Sequence, residues 1–206
     1  MRDLFFTMYF ACLAASITLT CGCGPRESVR PQPSGEAVSS AKPSQAEPAF
    51  EPTWPAAVDA VRRGESIEIR LNTAPIEDAQ LADLAGLAEL RRINLPRSQI
   101  SDRGLEQIVK EVPQLELLRL GSPQITDAGL ASISQLKKLR FLHLIDVPLT
   151  DAGLKHLEQM TWLESFYLDG GNVTDTGLSS LIEALPELHF HRDQQHLPGD
   201  PRSDGH

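Results

Sequence analysis

A six-residue phrase returns five times along this chain: IEDAQL at 76, ISDRGL at 100, ITDAGL at 125, LTDAGL at 149 and VTDTGL at 173. The spacings are 24, 25, 24 and 24 residues. A period of that size marks a solenoid, in which one repeat cannot bury its apolar face alone and relies on the next. Cysteines occur only at Cys12, Cys21 and Cys23, so no disulfide framework can hold the later repeats and packing must do so. The 41% hydrophobic content of the 206 residues suffices for a core, and with 5% aromatics that core is expected to consist of aliphatic layers.

Ahead of the later starts lies a second phrase: LRRINL, LELLRL, LRFLHL and LESFYL. Its apolar residues fall at i, i+3 and i+5, as in Leu115, Leu118 and Leu120, so the last two share one side of an extended strand. After the start phrase the apolar positions take helical spacing, as in Ile125, Leu130, Ile133, Leu136 and Leu139. One repeat is therefore a strand, a turn and an amphipathic helix. Thr126 is placed to cap the helix and Asp127 to meet the positive end of its dipole. Gly129, Gly153 and Gly177 each cost about 1 kcal/mol against alanine in a helix, which a close approach of neighbouring coils would offset. Stacking also aligns Asp78, Asp102, Asp127, Asp151 and Asp175, but single carboxylates beside helix N-termini do not make the oxygen cage that calcium needs.

These residues resemble the leucine-rich repeat, and the I/L/V-T-D-x-G-L start with L-x-x-L-x-L strands is similar to the subtype of F-box-like proteins and their bacterial relatives. The match runs over roughly residues 65 to 190 and lacks the cysteine that often marks that subtype. The first repeat carries Gln80 where the others have glycine, as a terminal repeat can. The resemblance implies an α/β fold: a short horseshoe with a parallel concave sheet and helices on the convex side, binding through the concave face.

The segment before the repeats reads as an address and a spacer. Positions 4 to 20, LFFTMYFACLAASITLT, are uncharged and follow Arg2, which reads as a secretory signal. The CGCG that ends it resembles the lipobox of bacterial lipoproteins, with Cys23 after Gly22 as acceptor and Cys21 as rival. Residues 1–23 are thus expected to be a signal peptide and lipid anchor of an exported, membrane-anchored envelope protein. Residues 24–52 are dense in Pro, Ser and Glu and cannot bury enough surface to offset their ordering entropy, so they are expected to be a tether. The folded domain is placed at 53–197. TWPAAVDAVRRG would be a capping helix with Pro55 near its start and Gly64 past its end. HFHRDQQ puts His191 and Asp193 where leucines are due, so about five repeats are expected, followed by a loose tail at 198–206.

The residues that alternate with the inward pairs should form the concave face. One column reads Arg70, Asn94, Arg119, His143 and Tyr167, and the column before it Glu68, Arg92, Leu117, Phe141 and Ser165. Apolar and aromatic groups on a face that should be polar mark interaction sites. Arg92, Asn94, Leu117, Arg119, Phe141, His143 and Tyr167 are therefore the candidate partner-binding residues. The net charge of −9 disfavours nucleic acid, and a protein partner is expected.

No nucleophile elbow, P-loop or H-E-x-x-H phrase appears, so neither catalysis nor a cofactor is expected. His143 could meet Asp146 at the strand exit, but no nucleophile accompanies them. His189, His191 and His196 are weak metal candidates, since alternation places the first two on one side of an extended segment. The leading reading is a non-catalytic protein-binding module. The alternatives are an intracellular substrate-recognition subunit of F-box-like type, a metal-binding envelope protein using the C-terminal histidines, and a purely structural envelope component.

Overall fold

The computed structural model describes residues 51–193, 195 and 196, and of His196 only the backbone. The signal, lipobox and most of the tether lie outside the described residues, as does the expected C-terminal tail. Among the described residues no helix is long and apolar enough to cross a membrane.

Helix α1 (Trp54–Arg62) opens the domain, with Thr53 at its N-cap and Arg63 at its C-cap. Gly64 follows in the left-handed conformation that ends helices without a Cβ penalty. Trp54 and Val58 enter the core, and Trp54 Nε1 donates to Asp83 across 2.9 Å, so α1 is bound to the first coil.

Six strands then run parallel in sequence order: β1 (Glu68–Arg70), β2 (Arg92–Leu95), β3 (Leu117–Gly121), β4 (Phe141–Ile145), β5 (Ser165–Asp169) and β6 (His189–Arg192). Between them come a 3-10 helix (Asp78–Leu84), α2 (Asp102–Glu111), α3 (Asp127–Ile133), α4 (Asp151–Leu157) and α5 (Asp175–Ala184). A short antiparallel strand β7 (Gln195–His196) turns back on β6 and occupies the far edge. Ile69, Ile93, Leu118, Leu142, Phe166 and Phe190 lie in register, all buried, and form one core with the inward faces of the helices.

The sixth strand corrects the expected ending. Reading the leucine pattern forward from Leu188 places His191 and Asp193 inside, but the register pairs Phe166 with Phe190 and Leu168 with Arg192. Phe190 takes the core position and His191 falls on the open face beside Tyr167. The strand phrase is one residue closer to its leading leucine here, so fixed spacing from Leu188 misses the register.

The helices also run shorter than the apolar spacing implies. Ile125 precedes α3, while Leu136 and Leu139 lie in the turns that follow it, although all three are fully buried. The first coil has the tighter 3-10 form, with Gln80 accepting from the Glu77 backbone at 3.0 Å in a capping box.

The aspartate column lies in the first turn of each helix, as expected, and has a second role beside that one. Four of its carboxylates also reach the next coil. Asp102 accepts from the backbone N–H of Thr126 at 2.8 Å and from its hydroxyl at 2.7 Å. Asp78 does the same for Ser101, Asp127 for Thr150 and Asp151 for Thr174. The hydroxyl oxygens in turn accept from the first-turn amides of Arg103, Ala128, Ala152 and Gly177. The hydroxyl so held is an N-cap already aimed at its helix. This also explains the glycines: a Cβ on Gly129 would lie 2.5 Å from Asp102 Oδ1, and Gly104, Gly153 and Gly177 each face the preceding coil's aspartate in the same way. Gln80 is tolerated because the element before its coil is α1, which supplies no such aspartate.

Candidate functional site

The register confirms both expected columns as neighbours on the open face of the sheet and extends each by one residue. Arg70, Asn94, Arg119, His143, Tyr167 and His191 form one, and Glu68, Arg92, Leu117, Phe141, Ser165 and His189 the other. His189 and His191, read from the sequence as weak metal candidates, are thus the end of this face.

Along the first column the side chains join into one hydrogen-bonded row across four strands. Arg119 Nη1 donates to Asn94 Oδ1 at 3.2 Å and its Nε to His143 Nδ1 at 3.1 Å. His143 Nε2 lies 2.9 Å from Asp169 Oδ2. Because Nδ1 accepts from a guanidinium, the imidazole carries its proton on Nε2 and donates it to Asp169. Burial is the main force pushing the His143 pKa down, the Arg119 charge adds to it, and Asp169 opposes both. The neutral ring therefore matches the geometry, since protonation at Nδ1 would break the bond to Arg119. Asp169, not Asp146, is the carboxylate partner of His143, because alternation carries residue 169 to the same side as Tyr167 whereas Asp146 sits in a left-handed turn after β4.

Beyond His143 the face becomes aromatic. Tyr167 lies 5.4 Å from the His143 ring and stacks on His191 at 4.4 Å with planes 17° apart. His189, 6% exposed, meets His191 edge-on, with their Nε2 atoms 2.8 Å apart. The structure thus brings two of the three metal candidates together. Even so, no group of three or more histidine, cysteine, aspartate or glutamate residues suited to a metal occurs among the described residues.

In the second column Phe141 stands 44% exposed beside the half-buried Leu117. Arg92 lies 4.0 Å from Glu68, which also accepts from Arg70 at 2.9 Å, so the N-terminal end of the face is a small exposed ion cluster. Past Phe141, at the strand starts, a cleft of about 500 Å³ is lined by Glu116, Lys137, Arg140, Trp162 and Glu164. There Lys137 Nζ lies 4.3 Å over the Trp162 ring and Arg140 pairs with Glu164. Sequence reasoning missed Trp162 because it precedes the strand phrase, and missed Asp169 because it follows the last leucine.

Of the sequence-predicted residues, Asn94, Arg119 and His143 are therefore joined directly, Tyr167 packs on His143, Leu117 and Phe141 lie alongside, and Arg92 belongs to the Glu68 cluster.

No protein-family model and no curated protein matches the chain. Among solved structures, an internalin from Listeria monocytogenes is similar with a TM-score of 0.51 at 23% identity, over 68% of this chain and 38% of that one. An internalin C2 from the same organism has a TM-score of 0.37 at 19% identity, over 73% of this chain and 88% of that one. This chain thus spans well under half the length of the first internalin. That likeness speaks for the fold, and with the six-strand register it defines an α/β leucine-rich repeat solenoid.

Proposed function

We propose that this chain is a non-catalytic protein-interaction module that takes its partner on the open, concave face of the repeat sheet. The observation that carries the reading is Phe141, exposed in mid-sheet beside Leu117 and flanked by a side-chain row already fixed by its own hydrogen bonds. An aromatic anchor beside an ordered polar rim is the composition of binding hot spots, because the ordered groups lose little entropy on association. No activated nucleophile supports an enzymatic reading: His143 spends both ring nitrogens on Arg119 and Asp169. The start phrases favour the F-box-like repeat subtype for the coils.

Export and lipid anchoring complete the proposal. They rest on the apolar run at 4–20, the lipobox-like Cys23 or Cys21, and the Pro-rich stretch that would hold the domain away from a membrane. Membrane fractionation, with mass spectrometry of the mature N-terminus, tests this half. A soluble protein that retains residues 1–23 and no acyl group would overturn it.

Crosslinking and co-purification of the full chain from its native envelope, beside Phe141→Asp, tests the binding half. A partner held by the wild type and lost in a variant with unchanged circular dichroism is expected. Equal capture by both would remove Phe141 from the interface.

A further inference from the structure

Among the described residues the open face holds one cation whose charge no carboxylate answers. Arg70 and Arg92 share Glu68, and Arg140 has Glu164. Arg119 is hydrogen-bonded only to the uncharged Asn94 and the neutral side of His143, and among the described residues it forms no ion pair. Its Nη2 donates to nothing among those residues. Among the described residues no fully buried side-chain nitrogen or oxygen lacks a partner, so that nitrogen keeps some contact with solvent. A half-buried guanidinium in this position has been partly stripped of water without receiving a counter-charge.

The guanidinium is also held in place. Asn94 grips it from β2 and His143 from β4, and His143 is itself fixed by Asp169 from β5. A fork fixed before binding loses less entropy when it closes on a planar anion, and carboxylate is the anion that fits it through two oxygens. Leu117 precedes Arg119 by two residues on the same strand and thus shares its face, and Phe141 pairs with Leu117 across β3 and β4. The surface next to the cation is therefore apolar.

On this basis, and resting on the concave-face reading above, we propose that Arg119 is the receptor for an acidic side chain in an extended segment of the protein partner. A neighbouring apolar side chain of that segment packs against Phe141 and Leu117. The recognised element is thus an Asp or Glu beside a large apolar residue. It complements the one uncompensated arginine of the face even though the whole chain carries a net charge of −9.

Selection of a displayed random-peptide library on the immobilised full chain tests this directly. Enriched peptides are expected to pair Asp or Glu with Leu, Ile, Phe or Trp within a few residues. Binding of a synthetic copy, followed by fluorescence anisotropy, should weaken at least about tenfold when its acid is changed to the amide. Arg119→Gln should weaken the acidic peptide to a similar degree and leave the amide peptide unchanged. The acid-to-amide change leaves the protein untouched, so it decides the matter even if the Arg119 variant folds poorly. Peptides lost on Phe141→Asp but indifferent to their own acid and to Arg119→Gln would overturn the carboxylate receptor while leaving the concave interface standing. Peptides unaffected by either protein variant, or no enrichment at all, would overturn both.

Discussion

Replacing Gly153 by alanine adds one carbon at a point already occupied by the Asp127 carboxylate. In an isolated helix that change is worth about 1 kcal/mol in favour of folding. Here the carboxylate must leave the Thr150 amide and hydroxyl that it joins to the preceding coil. Gly153→Ala is therefore expected to lower stability by about 1–3 kcal/mol in urea unfolding, the range of an overpacked site. His143 gives a second expectation. Its folded pKa lies below the ordinary value near 6.5, so as pH falls through that value the unfolded chain takes up the proton first and stability declines. The decline ends once the folded ring protonates. Replacing His143 with Gln should flatten the urea midpoint between about pH 6.5 and the lower folded pKa. Asp151 acts in a more acidic window. Thr174's hydroxyl and amide lower its pKa, so its contribution is complete above the usual carboxylate value and is lost as pH falls through the depressed one.

Element by element, the sequence was most legible where one period governed several coils. The strand phrases with Leu118, Leu142 and their neighbours place the sheet and both of its columns, because a period of two over a repeat of 24 or 25 residues leaves one register that buries Leu118, Leu120, Leu142 and Leu144 together. Legibility failed at β6, where a shortened approach to the strand shifts Phe190 into the position that counting from Leu188 gives to a polar residue. It failed again at Asp169 and Trp162, which lie outside the phrases that repetition makes visible. The aspartates were legible in part: the local spacing of Thr126 and Asp127 places the acid in the first turn of its helix, and only the stacking shows that it also serves the next coil. If Phe190 closes the core, Phe190→Ala should cost about 3–5 kcal/mol by chemical denaturation, the loss typical of a buried aromatic. A side chain outside the core would lose almost nothing.

Across the whole molecule, stability is a sum over coils and their shared faces, whereas the proposed binding is confined to one side of the sheet. The two should separate under mutation. Phe141→Asp touches an exposed ring and is expected to shift stability by no more than about 0.5 kcal/mol while removing the partner, as thermal melts beside the capture assay would show. The aspartate link also gives the array a direction, since every coil but the last hands a carboxylate forward. At the end Asp175 meets Arg192 at 3.1 Å in place of a threonine, and β7 covers the final strand. Between those ends the joint is the same at each step, so the chain can be spliced like a sentence whose clauses share one conjunction. A second in-frame copy of residues 125–148 would offer a threonine to the first Asp127 and present its own aspartate to Thr150. The protein would then lengthen by one strand spacing, about 4.8 Å, with both termini unaltered. Tandem duplication is thus a route by which such a solenoid could widen its sheet without redesigning its ends.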